Sequence, residues 1–139
     1  MPRLRAACPD DLPRIHVVRH GTVENRLSNP ALVTEAEVLW YMNRAIFLVS
    51  EDKDGIQGFC CANPLSSYIW ALFVLDERHG VGHGSALMDE VEGRLRALGH
   101  RQVYLTTDHG TRAETWYQRR GYRVTGTSFG GEAVLVKAL

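Results

Sequence analysis

The stretch from Ser67 to Leu98 constrains this chain more than any other. Ser67–Leu75 is almost continuously apolar and aromatic, as a strand covered on both faces must be. It runs into His79-Gly80-Val81-Gly82-His83-Gly84-Ser85, with glycine at three alternate positions. Gly84–Leu98 then carries Leu87, Val91, Leu95 and Leu98, spaced three or four apart, and closes at Gly99. That spacing predicts an amphipathic helix with a glycine stop. Arg101–Thr107 reads as the next strand. A strand-helix-strand crossover of this kind implies two parallel neighbours and a right-handed connection.

The flanking segments surround this unit with antiparallel pairs. Arg3–Ala7 is a short opening strand, and Pro9 and Asp10 start a helix with Leu12, Ile15 and Val18 on one side, ending near Gly21. Thr34-Glu35-Ala36-Glu37 has capping-box spacing and predicts a second helix through Val38–Asn43. Ala45–Ser50 and Ile56–Ala62, joined by the polar turn Asp52-Lys53-Asp54-Gly55, predict a hairpin. Arg112–Arg120 reads as a helix, Tyr122–Thr125 as a strand and Glu132–Lys137 as a last strand. The expected class is α/β (α+β): one domain over residues 1–139, with a mixed central sheet flanked by helices.

The chain has 139 residues, room for one ordinary domain. Sixteen basic residues balance sixteen acidic ones, so no overall field recruits nucleic acid or anionic lipid. No apolar run approaches ~20 residues, which disfavours a membrane span. The three cysteines, Cys8, Cys60 and Cys61, are odd in number and two are adjacent. That is a poor disulfide framework and points to a reducing, cytoplasmic location. His16 and His20 stand four apart on the first helix, but no carboxylate or cysteine completes a ligand set, so no metal is expected.

The glycine loop carries the chemistry. Glycine lets the backbone approach a ligand closely and adopt conformations that a Cβ would forbid. A helix N-terminus leaves four amide N–H groups unpaired and bears about half a positive charge. Together they make a site for phosphate oxygens. A flexible turn before a helix would show the same glycines. A dinucleotide-binding unit is set aside: it should begin the fold and place a ribose-binding acid ~20 residues on, and Gly99–Gln102 supply none.

The loop resembles that of the GNAT superfamily of acyl-CoA-dependent N-acyltransferases. The family motif Gln/Arg-x-x-Gly-x-Gly/Ala falls on His79–Gly84, with His79 where Gln or Arg is usual. A second motif, Ala-x-x-x-Tyr-x-x-x-Gly-aromatic, is similar to Ala113-Glu114-Thr115-Trp116-Tyr117-Gln118-Arg119-Arg120-Gly121-Tyr122; Gly110 stands where the family often has Asn. The order of elements from Arg3 to Lys137 also matches.

The resemblance implies acetyl-CoA as acyl donor, with the pyrophosphate on His79, Gly80, Val81, Gly82, His83, Gly84 and Ser85. It implies main-chain pairing of Phe73 and Val74 with the pantetheine arm, and a cleft where Ile69–Leu75 splays from Arg101–Thr107. Tyr117 is the implied general acid for the departing thiolate. The polar segment Arg19–Pro30 lies where the family's acceptor loop is found. There Glu24 is the candidate base and Asn25 a candidate acceptor contact, against the plainer reading of solvated loop residues. Trp70 is a candidate wall of the acceptor pocket, although core packing is the commoner fate of such a residue. The expected acceptor is a small-molecule amine. A protein or peptide amine is the rival acceptor, and a non-catalytic CoA-binding domain the rival class. Glu132–Lys137 is the candidate edge strand for a homodimer.

Overall fold

A computed structural model describes residues 2–20, 35–75 and 78–139. The described strands are β1 (Arg3–Ala6), β2 (Ile46–Asp52), β3 (Gly55–Asn63), β4 (Tyr68–Val74), β5 (Gln102–Thr107), β6 (Arg123–Thr127) and β7 (Ala133–Ala138). The described helices are α1 (Leu12–His20), α2 (Glu35–Arg44), α3 (His83–Ala97) and α4 (Arg112–Arg119), with a short 3-10 turn at Pro9–Asp11 before α1. Thr34, the capping residue expected before α2, lies outside the described residues. No helix among the described residues is long and apolar enough to cross a membrane.

The strands form one seven-stranded sheet in the order β1-β2-β3-β4-β5-β7-β6. It is antiparallel except at β4–β5, where the crossover through α3 makes a parallel pair. Alternation along the strands sends side chains to two cores. On one face Leu87, Met88, Val91 and Leu95 of α3 and Tyr117 of α4 pack on Leu48, Cys60, Ile69, Leu105 and Leu135. On the other, Leu12, Ile15 and Val18 of α1 and Val38 of α2 pack on Phe47, Val49, Phe59, Cys61 and Ala71. Cys60 and Cys61 therefore serve opposite faces, and burial raises both thiol pKa values.

The final strand is not an edge. β7 folds back between β5 and β6, in register with both. The reason lies in its alternation: Ala133 and Leu135 are fully buried in the α3 core, whereas all five residues of β6 are exposed. The sheet accordingly ends in β1 and β6. Beneath β7, buried Glu92 of α3 accepts from Lys137 Nζ at 2.9 Å and from Tyr122 Oη at 2.8 Å. Burial, with Glu92 adding to it, raises the Tyr122 pKa well above its ordinary value.

Candidate active site

β4 and β5 share a single register pair, Tyr68↔Tyr104, and do not pair beyond it. The sheet therefore opens along the C-terminal half of β4. Which β4 groups face that opening follows from the antiparallel ladder with β3. Leu75 N donates to Gln57 O at 2.9 Å, so main-chain groups of alternate residues, Phe73 and Leu75, turn toward β3. Those of Leu72 and Val74 turn the other way. Of the two residues expected to pair with the pantetheine arm, Val74 thus has main-chain groups on the side of the opening, and Phe73 has its own turned toward β3. Phe73 still borders the cleft, but its ring packs on Phe59, 5.2 Å between centroids.

The loop after β4 has the shape its glycines suggest. Gly80 (φ +83°) and Gly82 (φ +98°, the N-cap of α3) sit in left-handed conformations that a side chain would strain. Gly84 serves a different need: a Cβ there would lie 3.3 Å from the Trp116 ring. Helix α4 can press against the start of α3 because residue 84 has no side chain. Thr111 caps α4 by accepting from Glu114 N at 3.2 Å, and Gly110 (φ +75°) makes the preceding turn.

Between β4, the loop and α4 lies a cleft of about 560 Å3. It is lined by Leu72, Phe73, Val74, His79, Gly80, Gly82, His83, Gly84 and Ser85, and from α4 by Arg112, Trp116, Tyr117 and Arg119. That volume suits an extended cofactor-sized molecule. Tyr117 is 8% exposed and edge-on to Tyr122, so its ring is core while its residue borders the cleft. Arg112 and Arg119, seven apart on one helix, share the cleft face. Arg120 turns away to Asp89, Glu92 and the Trp116 ring.

The rings of the two loop histidines are engaged by protein groups. His79 Nε2 donates to Val74 O at 2.8 Å, leaving Nδ1 to accept from Arg112 Nη2. His83 is 1% exposed, its ring inside the protein against Ser50. Val81 points to solvent.

Trp70 lies apart from the cleft lining. A register shift at Cys61/Ala62 brings it to the α2 side, where it stacks on Tyr41 with 4.6 Å between centroids. Glu24 and Asn25 lie outside the described residues. Residues the sequence did not single out for the site are Leu72, which needs the ladder register, and Arg112 and Arg119, whose seven-residue spacing was visible but not their direction. Among the described residues, no group of three or more His, Cys, Asp or Glu is arranged to hold a metal ion.

Residues 43–124 match the family model described as acetyltransferase (GNAT) domain. An amino-acid acetyltransferase of Azotobacter vinelandii is 39% identical over 94 residues, 68% of this chain. The chain spans only 18% of that relative's length. The 5-NmdU N-acetyltransferase of Pseudomonas phage PaMx11 is 25% identical over 137 residues, covering 94% of each protein. In fold, the PaiA N-acetyltransferase of Thermoplasma acidophilum, solved with coenzyme A, superposes over 100% of this chain and 99% of its own at a TM-score of 0.86 and 16% identity. A seven-stranded sheet opening beside a glycine-built helix N-terminus, and a family match across more than half the chain, agree: this protein belongs to the GNAT acetyltransferase family.

Proposed function

We propose that this protein transfers an acetyl group from acetyl-CoA to a primary amine of a small molecule, by direct attack in a ternary complex. The observation that carries the reading is the joining of three features in one cleft. β4 parts from β5, the glycine-built N-terminus of α3 faces the opening, and Tyr117 borders it. The main chain of Gly80 to Ser85 holds the diphosphate, aided by the helix N-terminal field. Arg112 and Arg119 add positive charge on the opposite wall. Leu72 offers its main-chain groups to the pantetheine arm as a neighbouring strand would, the Val74 carbonyl being held by His79.

An alkylammonium has a pKa near ~10 and is not nucleophilic at pH 7. A base must take its proton, and Glu24 is the candidate for that role. The Val74 N–H, turned into the opening, is the donor for the oxyanion that forms when the amine adds to the thioester carbonyl. As the tetrahedral species collapses, the carbon–sulfur bond breaks and Tyr117 protonates the leaving thiolate. Each step moves only protons and the acyl group, so the scheme needs no metal. The named activities of the relatives, on amino acids and on 5-NmdU, favour a small amine acceptor. Three free cysteines fit a reducing, cytoplasmic setting.

The test has two parts. Calorimetry with CoA and acetyl-CoA should show saturable binding. A thiol-release assay over amino acids, aminomethyl pyrimidine nucleosides, other small amines and N-terminal peptides should then show turnover dependent on one of the small amines. Turnover on peptides alone would reassign the acceptor. Binding without acceptor-dependent release across the panel would point to a CoA sensor.

A further inference from the structure

The phosphate loop is fastened at both ends to one turn of the neighbouring hairpin. His83, the first residue of α3, lies with Nδ1 2.6 Å from Ser50 Oγ and Nε2 3.5 Å from Asp52 Oδ2. Arg78, just before the loop, lies 3.9 Å from Asp52 Oδ2, and its Nη2 donates to Asp54 Oδ2 at 2.8 Å. Asp52 is itself fixed: its Oδ1 accepts from Asp54 N at 2.9 Å and from Gln57 Nε2 at 3.2 Å. A register shift between Ser50 and Glu51 occurs where β2 reaches this cluster.

The arrangement resembles a serine–histidine–aspartate relay, but it is sealed. Ser50 is fully buried and His83 nearly so, and no substrate carbonyl can reach the hydroxyl. Its consequence must therefore be mechanical. Burial lowers the His83 pKa, outweighing the opposing pull of Asp52, so the ring is neutral at pH 7. Nδ1 and the Ser50 hydroxyl share a hydrogen bond, while Nε2 is buried 3.5 Å from Asp52 Oδ2 with no hydrogen-bond partner of its own. The Ser50 bond on one side and the Asp52 carboxylate facing the other give the ring one preferred orientation, and the ring belongs to the residue following the Gly82 N-cap.

We propose that Ser50, Asp52 and His83 are positioning residues for donor binding, a buttress that holds the first turn of α3 and the loop before it in a diphosphate-ready shape. The proposal rests on the reading of this loop as the CoA diphosphate site. Left-handed Gly80 and Gly82 give the loop freedom, which favours an external brace. Amides that must converge on one anion lose affinity steeply when displaced.

The experiment measures the CoA Kd by calorimetry for the wild type and for Asp52→Asn, Ser50→Ala and His83→Gln, alongside steady-state kinetics and melting temperatures. Lys53→Ala, exposed in the same turn, is the control. The expected result is a Kd for CoA, and a KM for the acetyl donor, raised about tenfold in Asp52→Asn and Ser50→Ala, the change that one lost hydrogen bond at the loop amounts to. The kcat and acceptor KM should stay within about twofold, and Lys53→Ala should bind as the wild type does. His83→Gln, whose amide keeps a hydrogen-bonding group beside Ser50, should lie between. Folded variants with wild-type Kd, whatever their melting temperatures, would overturn the proposal, because a purely structural link would act only on stability. A wild type that binds no CoA would instead overturn the underlying reading and this proposal with it. Asp52→Asn, at a partly exposed hairpin end, keeps the test available if Ser50→Ala does not fold.

Discussion

Asp11 and Tyr117 show how differently a single side chain can matter in this protein. Asp11 accepts from Arg5 Nη1 and Nη2 at 2.8 and 2.9 Å and from Cys8 N at 2.9 Å, tying β1 to the entry of α1. Arg5, chiefly, holds its carboxyl at about 2, below the ordinary 3.8. A carboxylate with a depressed folded-state pKa adds stability above its unfolded pKa and loses it as pH falls through the folded value. Asp11→Asn should therefore be less stable than the wild type at pH 6, and the gap in urea midpoints should close between about pH 4 and pH 2. Equal midpoints at every pH would mean that the pair does not contribute. Tyr117 belongs to the proposed reaction. If its phenol protonates the leaving thiolate, Tyr117→Phe should lower turnover by on the order of 10²–10⁴ with donor binding retained. Unchanged turnover, with chemistry shown to limit the rate, would remove Tyr117 from the mechanism.

At the scale of elements, β4 is the piece on which the site depends. One side of it is laddered to β3, and the other is committed to β5 at one register pair only. Its alignment is set partly by Gly58 of β3, where a Cβ would come within 2.9 Å of Phe73 O and 3.0 Å of Val74 Cγ2. Because one of those atoms is backbone, a methyl group there must displace the strand and not merely a rotamer. Gly58→Ala should cost roughly 1–3 kcal/mol in urea unfolding. It should also weaken CoA binding, since Val74 moves with the strand. Retained stability would show that β3 and β4 can part at this point without penalty.

For the whole molecule, the cleft lies where the sheet's two halves separate, with α3 and α4 on one face and α1 and α2 on the other. A ligand spanning β4, the loop and α4 holds together parts of the chain that unfolding would pull apart. Saturation with CoA at about 100 times Kd should add ~2.7 kcal/mol. For a chain of this size that raises the melting temperature by on the order of 10 °C. A scanning fluorimetry series in CoA concentration checks it; no shift at saturation would mean that CoA does not bind the folded state at this site.

Periodicity and glycine spacing alone were enough to place most elements and the loop. An apolar strand, three alternate glycines and a helix with a leucine stripe have few other ways to satisfy their backbone and bury their side chains. Backbone donors at a helix N-terminus are local, so the candidate diphosphate site was legible from residues 79–85. What the chain's order could not reveal was everything that depends on neighbours distant in sequence. The ladder register turned the main chain of Leu72, and not that of Phe73, toward the opening, and a bulge sent Trp70 toward α2. A buried alternation drew β7 inside β6. His83 turned inward because Ser50 and Asp52, more than thirty positions earlier, were waiting there. Local structure follows from short-range sterics and hydrogen bonding; which strand face or ring nitrogen meets which partner is fixed only when the sheet closes and burial makes each unpaired polar group costly.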